Sequence, residues 1–157
     1  KQFLQRHYYE AMTERTGLTR PSDDDLSKSA RSRRAAHHLA EHLHEAPVLL
    51  LVCGKRDWPF LVPPEERVGL APPSFGSIYP CIQNILLACR AHGLGATLTT
   101  LHQLFQPQLH ERFAIPETFG VVAMIPIGYP TGNFGPVRRN PIESCTFYDA
   151  WGTTEQP

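Results

Sequence analysis

Neither sign of charge is in excess. Fifteen Lys and Arg balance fifteen Asp and Glu, for a formal net charge of +0. Nothing therefore marks a general nucleic-acid or membrane-surface binder. No apolar run is long enough to span a bilayer. Cysteine is limited to Cys53, Cys81, Cys89 and Cys145, with no Cys-x-x-Cys pair among them. That pattern reads as free buried thiols in a reducing, cytoplasmic compartment, and it speaks against a disulfide scaffold. Other signatures are absent too. His-Glu-x-x-His does not occur, and Gly93-Leu94-Gly95 lacks the third glycine of a dinucleotide fingerprint because Leu98 stands there. Gly76-Ser77-Ile78 lacks the second glycine of a nucleophile elbow. There is no internal repeat, no low-complexity tract and no visible signal peptide.

What is present fits one domain. The 157 residues can bury a useful core, and 1–157 reads as a single unit. Lys1 already lies inside a helical pattern, which reads as a domain without its front section. Phe3, Leu4, Tyr8, Ala11 and Met12 share one face of a short helix that Gly17 ends. Ser22-Asp23-Asp24-Asp25 predicts the start of the next helix, with serine capping free N–H groups and carboxylates at the positive end of the dipole. Leu26, Ala30, Ala36, Leu39, Leu43 and Ala46 carry that helix on, and Arg31 to Arg34 form a solvated face. His38 and His42 stand one turn apart beside His37 and His44. That spacing can chelate a metal, but with no third ligand the plainer reading is solvated or half-buried histidines.

Val48 to Cys53 is an unbroken apolar run between Pro47 and Gly54. It predicts a central strand covered on both faces. Lys55 to Ser74 reads as a long loop anchored by Trp58 and Phe60, of the kind that often serves as a lid or binding segment. Ser77 to Thr100 is the spine. Ile78, Ile82, Ile85, Leu86 and Cys89 recur at helical steps, so one buried helix is expected from about Gly76 to His92. Gly93 falls where a helix stops in the left-handed conformation. Ala96 to Thr100 is rich in β-branched residues and reads as extended. Leu101 to Phe105 makes a helical turn, and Pro107 restarts a second piece through Phe113. Phe119 to Ile127 predicts a second apolar strand, with Pro126 near its end or on an edge. Ile142, Phe147, Tyr148 and Trp151 give the tail apolar anchors.

Three pieces together carry a resemblance. Ile82-Gln83-Asn84 with Leu86-Leu87-Ala88 and Gly93-Leu94-Gly95 is similar to the signature helix of the FMN-dependent nitroreductase family. Ile115-Pro116-Glu117, running on to Ile127-Gly128-Tyr129-Pro130, agrees in order and rough spacing. Arg138-Arg139-Asn140-Pro141-Ile142-Glu143 resembles the family's basic, proline, acidic ending. The match spans about Pro47 to Trp151. Two family features have no counterpart: an N-terminal arginine motif, and a Pro-Ser-x-x-Asn-x-Gln-Pro segment, since Phe75-Gly76 follows Pro73-Ser74. Val137 stands where many relatives carry a lysine.

The resemblance implies an α+β domain with a central mixed β-sheet flanked by helices. It implies an FMN-dependent oxidoreductase that uses NAD(P)H to reduce nitro-aromatic or quinone-like electron acceptors. Leu98, Thr99, Thr100 and Leu101 are implied as flavin contacts, through backbone more than side chain, with Thr100 first among them. Arg138 and Arg139 are implied at the phosphate, with Arg139 favoured, because guanidinium forks suit phosphate oxygens. No side chain is expected as an obligatory catalytic acid or base, and no metal is expected. The family habit implies a homodimer, with the spine helix at the interface and the tail from Ile142 to Trp151 reaching the partner. The alternatives are flavin-consuming or dehalogenating chemistry on the same fold, and a non-catalytic flavin-binding or dimer-interaction domain.

Overall fold

The computed structural model describes residues 1–55, 63–66, 76–135 and 139–155. The expected helices and sheet are present, and the described strand pairings are all antiparallel, in the order β1 (Val48–Lys55), β3 (Phe119–Gly128), β2 (Gly95–Ala96). Helix α1 (Gln2–Glu10) runs on into a wider π turn at Ala11–Arg15. It buries Leu4, Tyr8, Ala11 and Met12 of the face its spacing predicts, and Phe3 of that face is half-buried.

Helix α2 (Lys28–His42) begins later than expected. Ser27 is its cap, with the Ala30 N–H donating to Ser27 Oγ at 3.1 Å. Upstream, polar side chains close local turns instead. Asp24 N–H donates to Ser22 Oγ, and Ser27 N–H donates to Asp25 Oδ1 at 2.9 Å. Such bonds compete with helix formation. Arg34 reaches back to the Ser22 and Asp25 carbonyls and holds the turn against the helix. Leu26 is consequently 77% exposed, outside the apolar face assigned to it. Ala36 is exposed as well, while Ala30, His37 and Ala40 are buried.

Strand β1 (Val48–Lys55) is correctly placed in sequence, but it pairs only with β3 among the described residues, so it flanks the sheet instead of centring it. Its two faces are both covered. Leu49 and Leu51 pack toward α1, and Leu50 and Val52 toward helix α3 (Ile78–Ala91). The centre is β3 (Phe119–Gly128). A bulge opposite Val52 and Cys53 leaves Val122 outside the register. It turns Val122 and Ala123 to the α3 side, while Val121 and Met124 meet Leu4, Tyr8, Phe105 and Leu109 on the other. A bulge adds one residue and so shifts the side-chain alternation by one. This is why a near-continuous apolar run can feed two cores.

Helix α3 buries Ile82 and Cys89. Ile85 and Leu86, expected to be buried, are only half-buried, packed at the margin of the sheet. Gly93 ends the helix with φ +71°, and the Leu94 N–H closes onto Cys89 O at 2.8 Å. Cys53, Cys81 and Cys145 are exposed free thiols, so only Cys89 keeps the burial expected of all four. Trp58, Phe60 and Arg138 lie outside the described residues. No helix among the described residues is long and apolar enough to cross a membrane.

Candidate functional site

Strand β2 (Gly95–Ala96) is short for a definite reason. Gly95 pairs with Gly128 and Ala96 with Ile127. Thr99 resumes the same register opposite Met124. That register sets Thr97 opposite Pro126, which has no N–H to give, so the ladder breaks there. Of the expected extended run Ala96 to Thr100, only its first residue and the Thr99 bridge pair with the sheet. The bridge is firm, with Thr99 N–H to Met124 O at 2.9 Å and Met124 N–H to Thr99 O at 3.0 Å. Thr100 then leads into the helical turn Leu101–Phe105, which continues as α4 (Gln106–Phe113).

Leu98, Thr99, Thr100 and Leu101 come together along one groove of about 470 Å³. Its other walls are Tyr8 and Met12 from α1 and the π turn, with Leu18, Ala36, Gln103 and Leu104. The lining combines apolar Leu98, Leu101, Leu104 and Met12 with polar Thr99, Thr100 and Gln103. A depression of similar volume, 440 Å³, lined by Gln106, Pro107, His110 and Glu117, contains none of the residues marked from the sequence.

Tyr8 was visible in the sequence only as a core residue. Its hydroxyl lies 2.6 Å from Thr99 Oγ1. Burial raises the phenol above its ordinary pKa, and the Thr99 hydrogen bond opposes that shift. Immediately after the groove segment, His102 is fully buried. Its Nε2–H donates to Val121 O at 2.8 Å, and Nδ1 has no hydrogen-bond partner among the described residues. Burial holds the His102 imidazole below its usual pKa, which favours the neutral ring.

Arg139 is exposed and is absent from the groove's described lining. The loop before it returns to the spine, with the Arg90 guanidinium 4.1 Å from the centre of the Phe134 ring. The histidine row on α2 is partly stacked, His38 against His42 at 4.3 Å, and His42 Nδ1 meets Glu45 Oε1 at 2.7 Å. No group of three metal-ligating side chains occurs among the described residues.

Comparison with solved structures places this fold. An iodotyrosine deiodinase bound to FMN and 3-iodo-L-tyrosine aligns with a TM-score of 0.64 at 19% identity, over 94% of this chain and 69% of that one. A nitroreductase-like family protein from Bacillus cereus aligns at 0.53 and 17% identity, over 93% of this chain and 68% of that one. An FMN- and NADPH-dependent nitroreductase from Sphigopyxis sp. strain HMH aligns at 0.56 and 15% identity, over 94% and 76%. No curated protein gives a significant match. The Nitroreductase family model matches residues 4–129, taking in most of α1, the spine helix, the groove segment and all three described strands. The chain belongs to the Nitroreductase family.

Proposed function

We propose that the protein is an FMN-dependent oxidoreductase that takes reducing equivalents from NAD(P)H and delivers them to a nitro-aromatic or quinone-like acceptor. The family match over residues 4–129 carries this reading. The groove supports it, because its mixed apolar and polar lining suits an isoalloxazine ring. In this reading Leu98, Thr99, Thr100 and Leu101 line the ring, and Arg139, with Arg138 beside it, serves the phosphate. FMN, when bound, supplies the two-electron carrier, while the protein holds and orients it. Thr99 has its backbone groups engaged by Met124, so its hydroxyl is the group it can offer. Leu101 opens a helical turn, where the first N–H groups have no partner within the helix.

A homodimer is part of the proposal. Leu87 on α3 is 56% exposed, and in the tail Ile142 is 70% and Trp151 92% exposed. Apolar side chains this open on a helix and a tail suit burial against a second copy. A cytoplasmic setting suits the three exposed free thiols.

The test is the absorbance spectrum of the purified protein. Bound flavin that bleaches on adding NADH or NADPH and recovers on adding a quinone supports the reading. A protein that takes up no FMN at micromolar concentration overturns it.

A further inference from the structure

Tyr8 buries its ring in the core between α1 and β3, and only its hydroxyl distinguishes it from phenylalanine there. That hydroxyl meets Thr99 Oγ1 at 2.6 Å. Thr99 is already fixed through its backbone by Met124, so this second tie acts on its side chain alone. A phenol is a better donor and a poorer acceptor than an aliphatic alcohol, and a threonine hydroxyl has one hydrogen to give. The favoured arrangement has the Tyr8 O–H donating to Thr99 Oγ1. The Thr99 hydrogen is then free to turn toward the groove that both residues line.

We propose that Tyr8 is a positioning residue that fixes the Thr99 hydroxyl as a hydrogen-bond donor to the polar edge of the flavin ring. This rests on the proposed contact between Leu98–Leu101 and FMN. Tyr8 acts through Thr99, whose hydroxyl is the group offered to the ring. The phenol is protonated at neutral pH, and hence a donor, and burial raises its pKa further. A donor fixed at that edge favours the reduced ring, which carries more electron density there. The same hydroxyl left free to rotate would favour it less.

The experiment compares wild type, Tyr8→Phe, Thr99→Val and the double variant as full chains, with Thr99→Ser as the conservative control. FMN affinity is measured first by flavin fluorescence, then the reduction potential of bound FMN, with thermal unfolding as the folding check. We expect every variant to fold and to bind FMN within about tenfold of wild type. Tyr8→Phe should lower the reduction equilibrium constant by about tenfold, or ~30 mV for a two-electron couple. Thr99→Val should lower it at least as much, the double variant no further, and Thr99→Ser should keep the wild-type potential. An unchanged potential in Tyr8→Phe, or additive shifts in the double variant, overturns the positioning role and leaves the flavin reading standing. Wild type that binds no FMN overturns both. Should Tyr8→Phe fail to fold, Thr99→Val decides: a wild-type potential there overturns the role.

Discussion

The Tyr8 hydroxyl reaches Thr99 Oγ1 at 2.6 Å across 91 positions of sequence. It joins the first helix to the segment that follows the spine helix, above a strand that also holds that segment by its backbone. The groove therefore has walls that are tied to each other and to the centre of the sheet.

The spine helix should lose stability unevenly when truncated. Ile82 is 1% exposed against Val122, Ala123 and Ile125. Ile82→Ala should cost about 2–5 kcal/mol in urea denaturation. Ile85 is only half-buried, so Ile85→Ala should cost clearly less. Equal losses would mean that Ile85 is covered in solution, as it would be at a subunit interface.

Two helix ends should respond in opposite directions to the same physics. Gly93 has φ +71° with open space where a Cβ would stand. Gly93→Ala should therefore cost about 1–2 kcal/mol through conformation alone. Ala114 ends α4 at φ 50°, also left-handed. Ala114→Gly should recover much of that strain, offset in part by the greater freedom of glycine in the unfolded chain, for a net gain of up to about 1 kcal/mol. Melting temperatures of the two variants should move apart from wild type in opposite senses.

Acid should weaken the fold partly through His102. Burial first, against the opposing Val121 and Thr99 backbone groups, holds its native pKa below the unfolded value. The unfolded chain then binds the proton more readily. The stabilisation is complete above roughly pH 6.5 and is lost as pH falls from there through the native pKa. His102→Gln keeps a donor for the Val121 carbonyl without titrating. Its urea midpoint should fall less than that of wild type between neutral pH and pH 5. Equal slopes would remove His102 from the acid response.

The phosphate assignment separates two adjacent arginines. Arg139→Ala should lose a charge-assisted contact worth about 1.5–3 kcal/mol, or roughly ten- to a hundredfold in FMN affinity. Arg138→Ala should lose much less if Arg139 alone makes the contact. Fluorescence titration of both variants checks this, and unchanged affinity in both would withdraw the role from each.

Local spacing determined a good deal. The face of α1, the Ile82 and Cys89 positions of α3, the stop at Gly93, the turn at Leu101 and the run of β3 follow from side-chain period and from the special conformations of glycine and proline. These are interactions within a few residues, and a sequence displays them directly. The motif order around Ile82 to Gly95 also pointed to the family. The α2 start was less legible, because Ser22, Asp24 and Asp25 could cap a helix or close turns, and the contact with Arg34 selected the turns. Which strand lies at the centre was decided by tertiary pairing, since Val48–Cys53 and Phe119–Ile127 carry the same apolar character. The bulge at Val122, and the gap that Pro126 leaves opposite Thr97, exist only once strands are in register. The partnership of Tyr8 and Thr99 belongs to the same class. A hydrogen bond between residues so far apart leaves no periodic trace, and only the packing of α1 across β3 brings the two hydroxyls together.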